Sequence, residues 1–365
     1  MKMKCKGMRT LLSAAMLLTL LVGFGNGTLA QAEESQATAQ SGTENAAQTA
    51  ITGESIQTNG GEVIALSALE HRDEHAEAAV YYTSEISPEA MVALYNALGV
   101  ELTGDRIAVK LSTGEPPASN YLDPNLIADL VHQVNGTIVE NNTAYGGQRA
   151  STAMHYQVAE DHGYTDLADV DIMDEDGSMT LPVTGGENLT ENYVGSHFAN
   201  YDYFVVLSHF KGHAMAGMGG ALKNISIGIA SPRGKTRIHT AGLMEMPEEL
   251  FGNPPEKLPE QDPFLESMAD AGKAVINYKG AENMLYINVA NRLSVDCDCD
   301  SHPAEPEMAD IGIFASTDPV AVDQACYDAV INSPDDGKAA LIERMNSRHA
   351  IHVVEAAAEL GQPQV

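Results

Sequence analysis

Short apolar segments of strand length alternate with helix starts along most of the chain. Three helix starts, Ser87-Pro88, Asp123-Pro124 and Asp318-Pro319, pair an N-cap residue with a proline at the first helical position, where its missing N–H costs nothing. This alternation predicts an α/β fold with a largely parallel sheet flanked by helices, as a single large domain or two closely packed lobes. The predicted strands are 78–82, 106–111, 136–139, 203–207, 284–289 and 310–314, and the predicted helices are 88–98, 124–134, 150–162, 319–330 and 338–360.

The N-terminus has three zones in the order of a secretory signal. A basic start is followed by an apolar run and then by small residues at a cleavage site. The apolar run of about fourteen residues is shorter than the roughly twenty that a membrane-spanning helix needs. We therefore predict a signal peptide over 1–32 and a secreted or extracytoplasmic protein with no membrane span after cleavage. The basic residues are Lys2, Lys4, Lys6 and Arg9, the apolar run covers 11–24, and Ala30 and Ala32 mark the cleavage site.

The segment that follows, 33–61, is rich in Gln, Ala, Ser, Thr, Gly and Glu and has almost no large apolar side chain. Such a segment cannot bury enough apolar surface to offset its ordering entropy, so we predict a disordered spacer. The remaining residues, 62–365, are enough for one large α/β domain.

The chain is strongly acidic, with 51 Asp and Glu against 20 Lys and Arg and a formal charge of −31. A surface of this charge repels nucleic acid and anionic lipid, so neither is expected as a partner. The expected partner is a small anionic molecule or a metal ion, bound where the few basic and metal-binding side chains are concentrated.

The loop after the predicted strand 203–207 combines glycines with basic side chains. It carries His209, His213 and Lys223, which suit metal binding, proton transfer or contact with an anion, and we regard them as candidate catalytic residues. A short helix after the loop would direct free N–H groups at an anion, although glycine-rich turns also serve close packing. The candidate cofactor-binding residues of this loop are Gly217, Gly219, Gly220 and Asn224.

A basic cluster follows at Arg233, Lys235, Arg237 and His239. We predict that His239 is catalytic and that Arg233 and Lys235 bind a cofactor or anion. The competing interpretation is that these residues pair with the acidic surface.

A second candidate segment, Asp296 to His302, alternates aspartates with two cysteines. If it is extended, Cys297 and Cys299 lie on one side and the aspartates and His302 on the other. Two neighbouring thiolates suit a soft metal or a reducible disulfide, carboxylates suit a hard ion such as calcium, and an ordinary acidic loop is the simplest alternative. The candidate metal ligands are Asp296, Cys297, Asp298, Cys299 and His302.

The next segment enters the predicted helix 319–330. Asp318 is expected to cap this helix, and Cys326 to behave as a small buried hydrophobic residue. Asp323 and Cys326 are three residues apart and share a helical face.

These segments together resemble the DUF362 family, whose members are often described as uncharacterised Fe-S centre proteins. The matching stretches are 207–239 and 297–330 and, more loosely, VKLSTGEPPASNYLDP and NNTAYGGQR. Many relatives carry a ferredoxin-like insert with two cysteine runs after the stretch that ends at His239. Here the interval 240–262 has no cysteine, so a 4Fe-4S cluster is not expected and a metal ion is the leading candidate cofactor.

A fainter resemblance is to the nickel-pincer lactate racemase family. That family places a histidine, a cofactor-bearing lysine and a second histidine around a glycine-rich loop, and His213, Lys223 and His239 stand at similar intervals. The resemblance covers about thirty residues.

Two hypotheses follow. The first is a metal- or cofactor-dependent enzyme that acts on a small anionic molecule, by redox chemistry or isomerisation. The alternative is an extracellular module that binds a metal or small ligand without turnover.

Overall fold

The computed structural model describes residues 16–20, 54–69, 78–252 and 258–361, and of 16–20 only the backbone. The predicted signal peptide therefore lies outside the described residues except for 16–20, and the predicted spacer lies outside them up to residue 53. Within the described ranges, no helix combines the length and the apolar character needed to cross a membrane.

The strands of the described residues fall into one large sheet and three small hairpins. They are β1 (Met16–Leu20), β2 (Ser55–Gln57), β3 (Val63–Ala65), β4 (Ala78–Thr83), β5 (Ile107–Lys110), β6 (Gly136–Glu140), β7 (Val170–Ile172), β8 (Ser178–Pro182), β9 (Glu191–Gly195), β10 (Tyr203–His209), β11 (Lys211–His213), β12 (Gly217–Gly219), β13 (Met284–Ala290) and β14 (Gly312–Ser316).

The α-helices cover both faces of the large sheet. They are α1 (Pro88–Ala97), α2 (Pro124–Gln133), α3 (Thr152–Asp161), α4 (Ala221–Lys223), α5 (Pro232–His239), α6 (Gln261–Lys279), α7 (Pro319–Asn332), α8 (Ala339–Ser347) and α9 (His352–Glu359).

The large sheet has the strand order β1-β4-β14-β13-β10-β5-β6-β7. Every neighbouring pair is parallel except the two that involve β14, which runs against both β13 and β4. The prediction of an α/β fold with a largely parallel sheet is therefore confirmed.

Alternate residues of the central strands pack into two separate apolar cores. Phe204 and Val206 of β10 face the core that includes α6, α7 and α9, whereas Val205 and Leu207 face the core that includes α1 and α2. All seven residues of β13 are buried in the same two-sided manner. Parallel strands covered on both faces account for the continuous apolar runs in the sequence.

The predicted helix caps form. The side chains of Ser87, Asp123 and Asp318 accept hydrogen bonds from the first backbone N–H groups of α1, α2 and α7. In each case a proline occupies the first turn, so the local sequence determines where these helices begin.

Two segments differ from the sequence predictions. The strand β2 lies inside the predicted spacer, because Ile56 finds a buried site in the core, at 1% exposure. The predicted helix 338–360 is divided into α8 and α9, since His349 adopts a left-handed conformation with φ 49° that a right-handed helix cannot continue.

Candidate functional site

A cavity of about 700 Å³ opens at the carboxyl ends of β5, β6 and β10. This edge of a parallel sheet is where α/β proteins bind ligands, because the loops that follow the strands meet there. The cavity brings together the glycine-rich loop, α5 and the Asp/Cys segment. The candidate residues that line it are His209, His213, Gly219, Gly220, Lys223, Asn224, Lys235, His239, Asp296, Cys297, Asp298 and Cys299.

A buried ion-pair network forms the base of the cavity. Lys110 is the last residue of β5 and Glu140 is the last residue of β6. Nζ of Lys110 lies 2.8 Å from Oε1 of Glu140. Nη1 of Arg149 lies 3.0 Å from the other Glu140 oxygen, and Nε of Arg149 lies 3.2 Å from Oε2 of Glu115. Burial opposes the ionisation of Glu140, but the charges of Lys110 and Arg149 outweigh it and hold its pKa at about 2.

Sequence reasoning missed this network. The available signal was a charged residue at the end of each of two buried apolar strands, Lys110 and Glu140. Arg149 lies in the NNTAYGGQR stretch, which contributes to the family resemblance but does not by itself predict an ion pair. Its partners come from other loops, so spacing alone could not find them.

Asn224 joins the network to the glycine-rich loop. Its Oδ1 accepts from Nζ of Lys110 at 3.0 Å, and its Nδ2 donates to the backbone oxygens of Lys110 and Leu207, each at 3.2 Å. Asn224 also begins a π-helical turn, 224–228, directly after α4. Because both ends of its amide contact protein, this residue holds the loop against the strand ends.

Two lysines enter the cavity without a carboxylate partner. Neither Lys223 nor Lys235 forms an ion pair with a described residue, and Nζ of Lys235 donates to the backbone oxygen of Ala230. Burial lowers the pKa of Lys223 to about 8 and that of Lys235 to about 7, while neighbouring carboxylates act in the opposite direction. Two amines that share a cavity in this way can hold an anion when they are protonated.

His213 lies in the cavity wall as a hydrogen-bond acceptor. Its Nδ1 accepts the backbone N–H groups of Met215 and Ala216, at 3.2 and 2.8 Å. Burial holds the pKa of His213 well below its usual value, and the charge of Lys223 lowers it further. A neutral ring whose Nδ1 accepts must carry its proton on Nε2.

His239 is arranged in the opposite way. Its Nδ1 lies 2.7 Å from the backbone oxygen of Lys235, so this nitrogen donates. Burial lowers the pKa of His239 to about 4, although the hydrogen bond to Lys235 acts in the other direction. The ring stacks on Phe264 with centroids 5.1 Å apart. The neutral ring therefore presents an unprotonated Nε2, the arrangement that metal-binding histidines adopt.

Asp298 lies between two cationic or ionisable groups. Its Oδ1 is 2.5 Å from Nζ of Lys211 and 3.2 Å from Nδ1 of His209. Burial would raise the pKa of Asp298, but these two neighbours outweigh it and hold the pKa below its usual value. Nε2 of His209 lies 2.8 Å from the backbone oxygen of Asn291, so both ring nitrogens face protein acceptors.

Cys297 and Cys299 form a disulfide. Both sulfurs and one ring nitrogen of His213 lie within 4.8 Å of one another, which makes the three residues a candidate metal-binding group once the disulfide is reduced. Among the described residues two further candidate groups lie elsewhere, Asp262 with His349 and His352, and Asp171 with Glu175 and His197.

Three predicted site residues lie away from the cavity lining. Gly217 has φ 79° and packs against Ala350, where a Cβ would stand 2.6 Å from that side chain. Arg233 pairs with Glu245 at 2.5 Å and covers the ring of Tyr193. His302 is exposed and its Nδ1 contacts Ser301.

Two local expectations are corrected. The segment 296–302 is a turn and not an extended strand, so aspartates and cysteines line the cavity together instead of on opposite sides. The N–H groups of α4 are not free for an anion, because the Asp323 carboxylate accepts from Ala221 and Leu222 at 2.7 and 2.9 Å. As expected, Cys326 is buried.

Solved structures similar to this chain were found at low sequence identity. The lactate racemase apoprotein from Thermoanaerobacterium thermosaccharolyticum is 16% identical with a TM-score of 0.42, over 77% of this chain and 63% of that one. A protein from Thermotoga maritima is 15% identical with a TM-score of 0.38, over 66% and 57%. The chain thus spans less than two thirds of the length of either structure, and no curated protein matched it.

A family model described as a domain of unknown function, DUF362, matches residues 107–328. This range holds β5, most of the cavity lining and the Asp/Cys segment. Because the match covers more than half of the chain, the protein belongs to the DUF362 family.

Proposed function

We propose that the protein is a metal- or cofactor-dependent enzyme that isomerises a small carboxylate by proton transfer at the carbon beside the carboxylate. The observation that carries this proposal is the opposite hydrogen bonding of two histidines in one cavity. Nδ1 of His213 accepts backbone N–H groups, whereas Nδ1 of His239 donates to a backbone oxygen. One ring can therefore donate a hydrogen bond through its Nε2–H, and the other can offer a lone pair at Nε2.

The anion is held by the two unpaired lysines. Lys223 and Lys235 are the cavity cations without a carboxylate partner among the described residues, and Lys110 and Arg149 are already engaged by Glu140. A carboxylate bound between Lys223 and Lys235 would raise the pKa of both amines and keep them charged. Its neighbouring carbon would then lie near His213, whose Nε2–H would donate a hydrogen bond to the substrate oxygen that becomes negative as water takes the proton from that carbon.

The residues present fit a metal or a metal-bearing cofactor. His239 has the donor arrangement of a ligand, and Lys223 is an unpaired amine whose pKa of about 8 leaves part of it neutral and nucleophilic near pH 7. His239 would ligate the metal, and Lys223 would carry an organic cofactor if one is attached. When bound, the metal supplies Lewis-acid polarisation of a substrate oxygen.

The cavity walls support the same proposal. They include the disulfide, Met215 and Phe251, and the base of the cavity is the network of Lys110, Glu140 and Arg149, whose charges already have partners. These charged groups therefore do not compete with the two lysines for the anion.

The test uses the full chain, produced in cells supplied with nickel, zinc or iron and purified without oxygen. Elemental analysis and an absorption spectrum come first, followed by NMR detection of solvent deuterium entering a panel of 2-hydroxy and 2-amino carboxylates in D₂O. We expect His213→Gln to keep the metal and to lose deuterium incorporation by about 100-fold or more. His239→Gln is expected to lose the metal as well.

The matched control is His132→Gln, because His132 is exposed on α2, its Nε2 contacts the backbone oxygen of Leu167, and it does not line the cavity. It should retain both metal and exchange. If the wild-type protein binds metal and small anions but exchanges no deuterium with any member of the panel, the alternative of a binding module without turnover replaces the proposal.

We further propose that this activity takes place outside the cytoplasm, on the basis of the N-terminal sequence. A tagged chain should appear in the medium or envelope fraction shortened by about 32 residues. Deletion of 1–32 should leave it in the cytoplasm.

A further inference from the structure

We infer that Cys297 and Cys299 are a redox-active pair that exchanges with a small dithiol entering the cavity. This second activity requires neither a metal nor Lys223, so it goes beyond the isomerase function proposed above. It rests on four features of the segment: access, fixed geometry, compensated charge and a neighbouring hydrogen-bond donor.

The disulfide is placed where a small thiol can reach it. Both sulfur-bearing residues line the cavity, with Cys297 at 8% exposure and Cys299 half-buried. Cys326, by contrast, is buried beside Asn288 and does not line the cavity. The cavity therefore gives a thiol access to one disulfide and not to the third cysteine.

The surrounding backbone keeps the two sulfurs together when the bond opens. The N–H of Gly212 donates to the backbone oxygen of Ser294 at 2.9 Å, and the N–H of Glu115 donates to that of Asp298 at 2.8 Å. Within the turn, the N–H of Asp300 donates to the backbone oxygen of Cys297 at 3.0 Å. These hydrogen bonds hold the segment on both sides of the cysteines, so the two sulfurs stay close together after reduction. The same disulfide can therefore form again.

The local charges tolerate a thiolate at Cys297. Its Sγ accepts the backbone N–H of Cys299 at 3.2 Å, and this contact favours the charged form of sulfur. The flanking aspartates are compensated, since Asp298 is paired with Lys211, and Asp296 lies 2.9 Å from Nη1 of Arg344. Cys297 is therefore the better leaving group, and the more accessible Cys299 is the sulfur open to attack.

His213 can donate a hydrogen bond to the leaving sulfur. One of its ring nitrogens lies within 4.8 Å of both sulfurs, and its proton is on Nε2 because Nδ1 accepts two backbone N–H groups.

The exchange is balanced in two steps. A thiolate of the substrate dithiol attacks Sγ of Cys299, the bond between the cysteines breaks, and Cys297 leaves as a thiolate that takes a proton from solvent. The second substrate thiol gives up its proton and attacks the mixed disulfide, the cyclic substrate disulfide forms, and Cys299 is released and takes up a proton. The protein pair gains two electrons and two protons, the dithiol loses them, and a second small disulfide returns the protein to its oxidised state by the reverse steps.

The test uses the folded full chain in buffers of increasing reduced-to-oxidised dithiothreitol, with iodoacetamide and peptide mass spectrometry as the readout. We expect Cys297 and Cys299 to become alkylated together without denaturant, while Cys326 stays unlabelled. In a reduced sample that has not been alkylated, removal of dithiothreitol and addition of a small disulfide should restore the original mass. Labelling of Cys297 and Cys299 only after unfolding would overturn the inference and leave a structural disulfide.

Variants separate the individual roles. Cys297→Ser should accumulate a one-to-one mixed disulfide at Cys299 with a small disulfide, and Cys326→Ala should leave exchange unchanged. His213→Ala should slow exchange by about tenfold near pH 7, through the loss of one hydrogen bond to a charged sulfur. An unchanged rate would overturn the role of His213. Lys223→Gln distinguishes the two proposals, because it should abolish deuterium exchange with carboxylates yet leave thiol exchange intact.

Discussion

The carboxylate of Asp323 lies directly behind Gly220, where an added Cβ would stand 2.3 Å from Oδ1. That carboxylate accepts the N–H groups of Ala221 and Leu222, and Nδ2 of Asn288 donates to it at 2.7 Å. Burial raises the pKa of Asp323 to about 6, although these donors act in the opposite direction. The start of α4, and with it the position of Lys223, is therefore set by a buried side chain on α7.

Gly220→Ala should disturb this arrangement. The new methyl group must displace the Asp323 carboxylate or the start of α4, so we expect a loss of about 1–3 kcal/mol in the free energy of unfolding. Urea unfolding of wild type and variant measures this loss in the free energy of unfolding. Gly146→Ala is the stability control, because no atom lies within 4 Å of the Cβ that it adds. Equal stability of the two variants would show that the contact at Gly220 relaxes freely.

Glu140→Gln should be strongly destabilising at pH 7. It leaves Lys110 and Arg149 buried without their shared carboxylate, which costs about 3–5 kcal/mol in comparable buried pairs. Urea unfolding at pH 7 tests this magnitude, and Glu343→Gln, on the exposed face of α8, should change stability little.

The difference between wild type and Glu140→Gln should also depend on pH in a defined direction. The folded pKa of Glu140, about 2, lies below the unfolded value of about 4.3. Its ionisation therefore stabilises the fold fully above the unfolded pKa, and this contribution is lost as the pH falls from about 5 towards 2. A difference that stays constant from pH 7 to pH 3 would contradict the network.

Local sequence determined the strands and the helix starts. The side chains of Ser87, Asp123 and Asp318 accept hydrogen bonds from backbone N–H groups two or three residues later in the chain. These caps could therefore be predicted without knowledge of the fold. The division between α8 and α9 could not, because His349 is not a residue type that marks a helix end. A left-handed histidine depends on the packing around it.

The site was only partly accessible to sequence reasoning. The cavity brings His213, Lys223 and His239 together with Cys297, as expected if the loops follow neighbouring strands. The sequence could not predict which ring nitrogen of each histidine carries the proton. That depends on hydrogen bonds to backbone groups such as the oxygen of Lys235. The partner of the α4 N–H groups, Asp323, is about one hundred residues away and was equally hidden.

Variants of Arg233 and Lys235 test whether the anion binds inside the cavity. The two side chains are two residues apart on α5, but Arg233 forms an exposed ion pair with Glu245 while Lys235 is buried in the cavity wall. Lys235→Gln should weaken malonate binding at pH 6.5 by about tenfold or more, the effect of one charged hydrogen bond. Arg233→Gln should change it by less than about twofold. Similar losses in calorimetry for both variants would place the anion outside the cavity.

Anion binding should be coupled to proton uptake near pH 8. At that pH Lys235, with a pKa of about 7, is mostly neutral, and Lys223, with a pKa of about 8, is half neutral. A bound carboxylate favours the charged amines and raises both pKa values, so we expect uptake of about one proton per anion at pH 8 and almost none at pH 6. Calorimetry in buffers of different ionisation enthalpy measures this number directly.

For the same reason the affinity for the anion should fall as the pH rises above 7, and Lys235→Gln should reduce the proton uptake at pH 8. Proton release, or heats that do not depend on the buffer, would mean that these lysines do not hold the anion.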